Sequence, residues 1–471
     1  MGTEVIIAGG GLAGSEAAWQ LAERGVRVTL CEMRPQHPTG AHKTGFLAEL
    51  VCSNSLKSNT SGTASWLLKE ELRRAGSLLL RVASECAVPG GGALAVDRER
   101  FSSAVTKAIG EHPFIDLRRE EVRDIVGDGP MLIATGPLTS DALAGSLQRL
   151  TGSESLAFYD SISPIVDAET LDMERIFRAS RYGKGGEDYL NCPMTEDEYR
   201  AFYEALRGAK NVEAHEFEDR QYFEACLPIE ELARRGYDTL RFGPMRPVGL
   251  LDPRTGRRPF ALVQLRSENL RFSSYNLVGF QNHLKFPEQK RILRMIPGLE
   301  KAEFLRFGQI HRNTYINAPK LLEPDLSLRN APKVSIAGQL SGVEGYVECI
   351  ATGLLAGLAL AHRAAEKPFV PPPRTTALGS LVHYITHANP DHYQPANIAF
   401  DLLPPIEGLP RHIARDRRAR REHQCERALS NLAQWLAGEL PPALPLEAAG
   451  GDHRPCSSAP ADGNTTETFH G

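Results

Sequence analysis

Apolar positions along this chain recur with two periods, and the places where one gives way to the other mark its elements. Val5–Ala8 is a short apolar run that breaks into Gly9-Gly10-Gly11-Leu12-Ala13-Gly14. The following stretch, Ser15 to Arg24, puts Ala17, Ala18, Leu21 and Ala22 on one helical face. Val26 to Leu30 is apolar again and closes at Glu32. The pattern predicts strand, glycine turn, helix, strand, acid. Helical periodicity returns at Thr63–Ala75 and Val96–Gly110, and at Thr195–Gly208, where Thr195 and Glu198 form a capping box. Met131–Ala134 reads as a short strand running into Thr135-Gly136. Phe114–Val126 alternates as a strand pair, and Phe260–Leu265 and Asn276–Phe280 read as strands. Val88–Gly92 reads as a flexible joint, and 283–312 as a basic helical stretch. Val334–Glu348 repeats the strand-to-glycine passage and leads into a small, apolar helix at Cys349–Arg363.

The first passage carries chemistry. Gly9, Gly11 and Gly14 fit G-x-G-x-x-G, whose glycines allow a tight turn, backbone approach to a pyrophosphate and close helix packing. The helix N-terminus offers N–H groups to phosphate, and Glu32 stands where a carboxylate takes the ribose hydroxyls. With its strand, helix and acid in place, the stretch is a dinucleotide site. Thr135-Gly136 after a strand, and the late turn at Gly338–Tyr346, are further pieces found in flavin-binding Rossmann folds. The late turn comes some 330 residues after the first, which implies a discontinuous domain with an insert. The expected fold class is α/β: a Rossmann-type, glutathione-reductase-like FAD-binding domain interrupted by an α+β domain. The expected boundaries are 1–150 and 326–440 for the two FAD-binding parts, 151–325 for the insert, and 441–471 for a disordered tail rich in Pro, Ala, Gly, Ser and Thr.

Composition narrows the setting. The 54 basic and 58 acidic residues leave a net charge of −4, so a nucleic-acid surface has to be a local patch. Arg241–Arg258, the stretch 283–312 with its interleaved phenylalanines, and Arg411–Arg421 with six arginines are such patches. Each reads either as a solvated face or as an RNA surface. The eight cysteines include no C-x-x-C pair, which argues against a zinc site and a disulfide framework, and a reducing cytoplasm is expected. No apolar run is long enough for a membrane span. Two cysteines stand in unusual settings. Cys52 lies in the small, polar run Glu49–Asn59 beside Lys57, and Cys226 lies just before Pro228 and a predicted helix start. Each is either a buried structural thiol or a thiol whose pKa is lowered by positive charge or a helix dipole.

Taken together, GGGLAGSEAAWQLAERGV (9–26), CEMRP (31–35), ELVCSNSLKS (49–58), IATGPLTS (133–140) and GQLSGVEGYVE (338–348) resemble the folate- and FAD-dependent tRNA (uracil-5-)-methyltransferases, the TrmFO family. The resemblance runs in order from about residue 3 to 440, with Gly10 where an Ala is common. It implies an enzyme that moves the one-carbon unit of 5,10-methylenetetrahydrofolate to C5 of a T-loop uridine of tRNA, position 54. FAD is the carrier and reductant, and NAD(P)H the electron source. It also implies cofactor-binding roles for Gly9, Gly10, Gly11, Leu12, Ala13, Gly14, Glu32, Thr135, Gly136, Gly338, Gly345 and Tyr346, and catalytic roles for Cys52 and Cys226. Cys226 would serve uracil and Cys52 the flavin side, with the reverse division also open. The partners implied are the tRNA T-arm, folate and a nicotinamide nucleotide, with no metal and no membrane. Three other readings remain. One is the related FAD enzyme that places a carboxymethylaminomethyl group on wobble uridine, which is longer and has a helical C-terminal domain. Another is a flavin disulfide reductase, which would need a cysteine pair. The third is a flavin-bound tRNA-binding protein without catalysis.

Overall fold

A computed structural model describes residues 3–125, 129–152, 156–161, 163–183, 186–211, 227–308 and 310–439. Cys226 and the tail from 441 lie outside these residues. The chain opens with β1 (Glu4–Ala8), α1 (Leu12–Ala22) and β2 (Arg27–Cys31). A side layer follows: β3 (Ser55–Ser58), α2 (Ala64–Arg74), α3 (Leu78–Glu85), β4 (Ala87–Val88), β5 (Ala93–Val96) and α4 (Arg98–Gly110). Then come β6 (Ile115–Arg118), β7 (Met131–Ile133) and α5 (Asp141–Thr151). The paired strands β8 (Leu156–Ser161) and, much later, β15 (Ile310–Tyr315) carry the chain into and out of the insert.

The insert holds β9 (Ile165–Asp167), β10 (Phe177–Arg178), β11 (Tyr189–Met194), α6 (Glu196–Arg207), α7 (Ile229–Arg234), α8 (Thr239–Phe242), β12 (Ala261–Ser267), β13 (Ser274–Leu277), α9 (Phe286–Leu293) and β14 (Phe304–Arg306). Its six strands form an antiparallel sheet in the order β10-β11-β12-β13-β9-β14, and α6 packs on it with Tyr199, Phe202, Tyr203 and Leu206 turned inward. The chain returns through α10 (Ala318–Leu321), β16 (Ser327–Leu328), β17 (Ala331–Ile336), α11 (Tyr346–Ala364) and α12 (Ala377–His387), and ends in α13 (Arg411–Arg415) and α14 (Arg417–Glu439).

The first and last parts share one sheet, β16-β17-β7-β1-β2-β6, in which β17, β7, β1, β2 and β6 run parallel. This is a doubly wound α/β sheet whose strand order requires the returning chain. Parallel strands with helices on both faces present their carboxyl ends as a binding edge. Here that edge collects Gly9 after β1, Glu32 after β2, Thr135 after β7 and Gly338 after β17. Helix α11 is long and apolar enough to pass for a membrane span, yet 83% of that stretch is buried within the protein. Much of its burial is against α1, at a crossing built from small residues. A Cβ on Gly353 would meet Ala13 O at 2.3 Å, and one on Gly357 would meet Ala17 O at 2.9 Å.

Three local expectations change. Val88–Gly92 is a tight hairpin turn rather than a flexible joint. Gly90 is required for packing, since a Cβ there would lie 2.8 Å from that of Ala95. The turn is also pinned to the insert, because Gly91 N–H donates to Asp188 (2.7 Å) and the Tyr189 hydroxyl to Gly90 O (2.8 Å). Within Phe114–Val126 there is one strand, Ile115–Arg118, and no pair among the described residues. The alternation stops where Arg119 turns in to donate to Arg34 O and Gly45 O. Among the described residues of 283–312, only Phe286–Leu293 is helical, capped at Arg294, with Pro297-Gly298 and then strands following. Arg411–Arg421 is broken at Asp416 into two helices.

Replacing Gly353 by Leu forces a side chain into the α1 backbone and should cost about 3 kcal/mol. Gly110→Ala, where a Cβ meets nothing within 4 Å, should cost far less. Chemical denaturation of the two variants checks this.

Candidate functional site

Residues 9–14 form the tight turn that the pattern requires. Gly9 has φ +99, and a Cβ on it would meet the Ala134–Thr135 backbone at 2.7 Å. A Cβ on Gly14 would sit 1.8 Å from Gly9 O. At Gly11 it would meet nothing within 4 Å, so that face of the turn is open. Gly11 is the N-cap of α1, whose first N–H groups have no intrahelical partner and point to the same opening. Gly10 is confined too, with Leu47 2.4 Å from where its Cβ would be. The Gly10 N–H donates to Glu32 (2.9 Å), and the backbone N–H and Nε of Arg34 donate to the other Glu32 oxygen (3.0 and 2.8 Å). Burial pushes the Glu32 carboxyl up, but the Arg34 guanidinium and the two N–H donors outweigh it and hold the pKa below the usual value.

Gly9, Gly11, Glu32 and Thr135 line a small recess with Glu120, Glu121 and Thr139. Leu138 lines this recess and also a larger cavity of about 350 Å³. Cys52, Ser53, Lys57, Arg266, Gln339, Gly345 and Tyr346 wall the larger one. Two lobes thus adjoin at Leu138, one beside Glu32 and the other beside Cys52. Leu12, Ala13, Gly14, Gly136 and Gly338 are on the wall of neither lobe. Gly338 serves packing: its N–H donates to Thr352 (2.8 Å), and at φ +76 a Cβ would press on Ala13. Gly345 (φ +110) is backed by the Lys57–Glu348–Asn397 cluster, where a Cβ would lie 2.4 Å from Glu348 and 2.5 Å from Lys57.

The half-buried Cys52 is held by its backbone from three directions. The Tyr346 hydroxyl, at the start of α11, accepts from Cys52 N–H (2.7 Å) and Ser53 N–H (3.1 Å). Burial pushes that hydroxyl's pKa up, which keeps it neutral. Arg98, at the start of α4, donates to Leu50 O (2.7 Å) and Cys52 O (3.1 Å) and is ion-paired with Glu268 from the insert. Buried Asn54 donates to Val96 O (3.0 Å) and Ser267 O (2.9 Å), and its side-chain oxygen accepts from Arg266 Nε (2.8 Å). The loop is therefore shared between the parallel sheet and the insert. The guanidinium groups of Arg98 and Arg306 lie within electrostatic reach of the thiol.

Beyond the loop, fully buried Lys69 donates to Leu56 O (2.8 Å) and Ser58 O (2.7 Å), flanking Lys57, whose φ is +62. Burial, with Arg73 nearby, pulls the Lys69 pKa down to about 7.

The position of Cys226 is outside the described residues. The chain resumes at Leu227, and Ile229 N–H donates to the carbonyl of Gln281, which lines the larger cavity. Sequence reading missed Arg98, Arg266 and Lys69. Each looks like an ordinary surface charge in the string, and its role comes from burial: Arg98 and Lys69 against backbone carbonyls, Arg266 against the Asn54 and Ser53 side chains. Tyr346 was expected at the cofactor, and its hydroxyl is found on the thiol loop.

Residues 4–368 match the family model for glucose inhibited division protein A. Methylenetetrahydrofolate--tRNA-(uracil-5-)-methyltransferase TrmFO of Solibacter usitatus is 61% identical over 440 residues, covering 92% of this chain and 99% of that protein. The protein of the same name from Symbiobacterium thermophilum is 59% identical over 439 residues, with 93% and 98% covered. Among solved structures, Aquifex aeolicus GidA superposes with a TM-score of 0.68 at 17% identity, over 94% of this chain and 74% of that one, a likeness of fold.

Two outcomes are expected. Tyr346→Phe leaves two loop N–H groups without their acceptor, at a cost of ~1–3 kcal/mol. Amide exchange at Cys52 and Ser53 should accelerate, and unchanged protection would contradict the anchoring. For Lys69, the unfolded chain holds a proton between about pH 7 and 10.4 that the folded chain has released, so this group makes stability rise with pH across that window. The stability gap between wild type and Lys69→Met should accordingly shift in the wild type's favour by ~1 kcal/mol per pH unit between about pH 7.5 and 9, read by urea denaturation.

Proposed function

The chain belongs to the TrmFO methyltransferase family, within the wider glucose inhibited division protein A family, and from that premise we propose that it methylates C5 of a uridine in tRNA with the one-carbon unit of 5,10-methylenetetrahydrofolate. The observation that carries this reading is the pair of cavities adjoining at Leu138, one at the glycine turn and one at the Cys52 loop, in a chain matched nearly end to end by the methyltransferases. The uridine is that of the T-loop, position 54, and reduced nicotinamide nucleotide is the electron source.

The residues fit FAD. The open face at Gly11, the α1 N-terminus and the Glu32 carboxylate suit its pyrophosphate and adenosine ribose, and the wider lobe suits its ring system. FAD, when bound, supplies the one-carbon carrier and the hydride that bring a methylene unit to methyl level. The chain's own residues do the rest. A thiolate that adds to uracil C6 makes C5 nucleophilic, and it leaves once the C5 proton has gone to a base. Cys226 is assigned to that addition and Cys52 to the flavin side, because Cys52 shares the wider lobe with Gly345 and Tyr346. Tyr346, Arg98 and Asn54 hold the thiol loop at the place where the two domains meet. Residues 1–150 and 326–440 then bind the cofactor, and 151–325 faces tRNA. The stacked rings of Phe286, Phe307 and Phe304, with exposed Lys285 next to Phe286 in the chain, suit an RNA surface.

The test incubates the protein with unmodified tRNA, labelled methylenetetrahydrofolate and NADPH, followed by nucleoside analysis. Label should appear in 5-methyluridine, and Cys52→Ala and Cys226→Ala should each abolish it. Label arriving only from S-adenosylmethionine would contradict the reading.

A further inference from the structure

The wall of the larger cavity contributed by the insert continues outward into a second layer. Arg266 and Gly279 line the cavity. Gln264 is two residues before Arg266 on β12, hence on the same face. Its side-chain oxygen accepts from Arg181 Nε (2.8 Å), and its carbonyl accepts from Val278 N–H (2.9 Å). Gly279 (φ +77) lies so close to Pro244 that a Cβ would come within 2.8 Å. Residues 181–183 and 244–249 are thus the next shell around the cavity, and they are tied to each other. Arg181 Nη1 donates to Val248 O (2.8 Å), and Tyr182 N–H to Gly249 O (3.0 Å).

At the centre of this shell is an aromatic ring held at a cost. Tyr182 has φ +57, a left-handed conformation that costs a residue other than glycine about 1–2 kcal/mol. Its ring lies on Gly249 (φ +88), where a Cβ would be 2.8 Å from Cε1 and Cζ. A strained residue, an obligate glycine and an arginine crosslink together orient the side chain, yet it stays 63% exposed. Such a device does not serve the core. It holds the Cδ1–Cε1–Cζ side of the ring against Gly249 and leaves most of the side chain to solvent. Both Arg181 bonds go to neutral acceptors, so they leave its charge uncompensated, and Arg246 is within electrostatic reach. Phe242 and Leu251, on the same stretch of chain as Gly249, are 77% and 64% exposed.

We propose that Tyr182 is a stacking platform for a base of the tRNA substrate that flanks the target uridine, with Arg181 and Arg246 drawing in its phosphates. The inference rests on the tRNA-methylating reading above. An enzyme that acts on C5 and C6 of a base must take it out of the stack, and the bases left beside it need a new surface. An aromatic face meets that need without regard to sequence, and guanidinium groups meet the backbone charge.

The test compares wild type with Tyr182→Ala, Tyr182→Leu and Tyr182→Phe as full-length, FAD-loaded proteins. It measures the Kd for an unmodified tRNA transcript and the steady-state methylation kinetics. Loss of one base stack should raise Kd and KM about ten-fold in the Ala and Leu variants, with the loss in KM rather than kcat, while Phe binds as wild type. Should Ala disturb folding, as judged by thermal melting, Leu keeps the bulk without the π-face and decides alone. Unchanged Kd in Leu, or a Phe variant as weak as Leu, would overturn the platform. If wild type binds tRNA but forms no 5-methyluridine, the methylation reading fails, and the Kd series still decides whether Tyr182 carries RNA.

Discussion

The Tyr346 hydroxyl that accepts from the Cys52 and Ser53 N–H groups is the contact on which the site depends. It couples the last long helix of the parallel sheet to a loop that departs from the second strand, nearly 300 residues earlier in the chain. The coupling works because α11 cannot shift. Its glycines sit on the backbone of α1, and α1 is itself fixed by the turn at Gly9–Gly14. The helix that would offer its N-terminus to a pyrophosphate and the helix that positions the thiol loop are therefore packed against each other. Geometry at one lobe is transmitted to the other through close packing, since interiors at this density do not yield by small amounts.

The insert completes the arrangement from the opposite side. Asn54 and Arg98 each bond the thiol loop's surroundings to residues of β12 or the turn after it, Ser267 and Glu268. These are buried polar contacts, so breaking one leaves a desolvated group without a partner, which costs more than the bond itself contributes. The loop thus senses the relative placement of the two domains. A reaction that needs a dinucleotide on one side and a macromolecular substrate on the other gains from a thiol fixed to both.

The glycine turn at the carboxyl edge of the sheet was readable from the string because its requirements are local. Gly9, Gly11 and Gly14 are glycines for reasons of backbone angle, open approach and packing that act within six residues, and Glu32 follows at a fixed interval. The discontinuous domain was readable because a second strand–glycine–helix passage appears late in the chain. What was not readable depends on distant burial. Arg98 resembles any exposed arginine near a helix start, and Lys69 any lysine on an amphipathic helix, until the fold removes them from water. Gly90–Gly92 looked flexible because three glycines together usually are, whereas Gly90 is there to admit Ala95. The stretch after Arg118 looks strand-like in the string, yet the strand ends there, because Arg119 turns in to Arg34 and Gly45 and Glu120 and Glu121 line the recess beside Glu32.

A crystal structure of the FAD-bound protein tests the central claim most directly. The account predicts the adenosine ribose at Glu32, the pyrophosphate over Gly11, and the flavin ring in the lobe between Cys52 and Gly345–Tyr346, with the Tyr346 hydroxyl still on the Cys52 and Ser53 N–H groups. A flavin ring seated away from Cys52, or a thiol loop released from Tyr346, would contradict it.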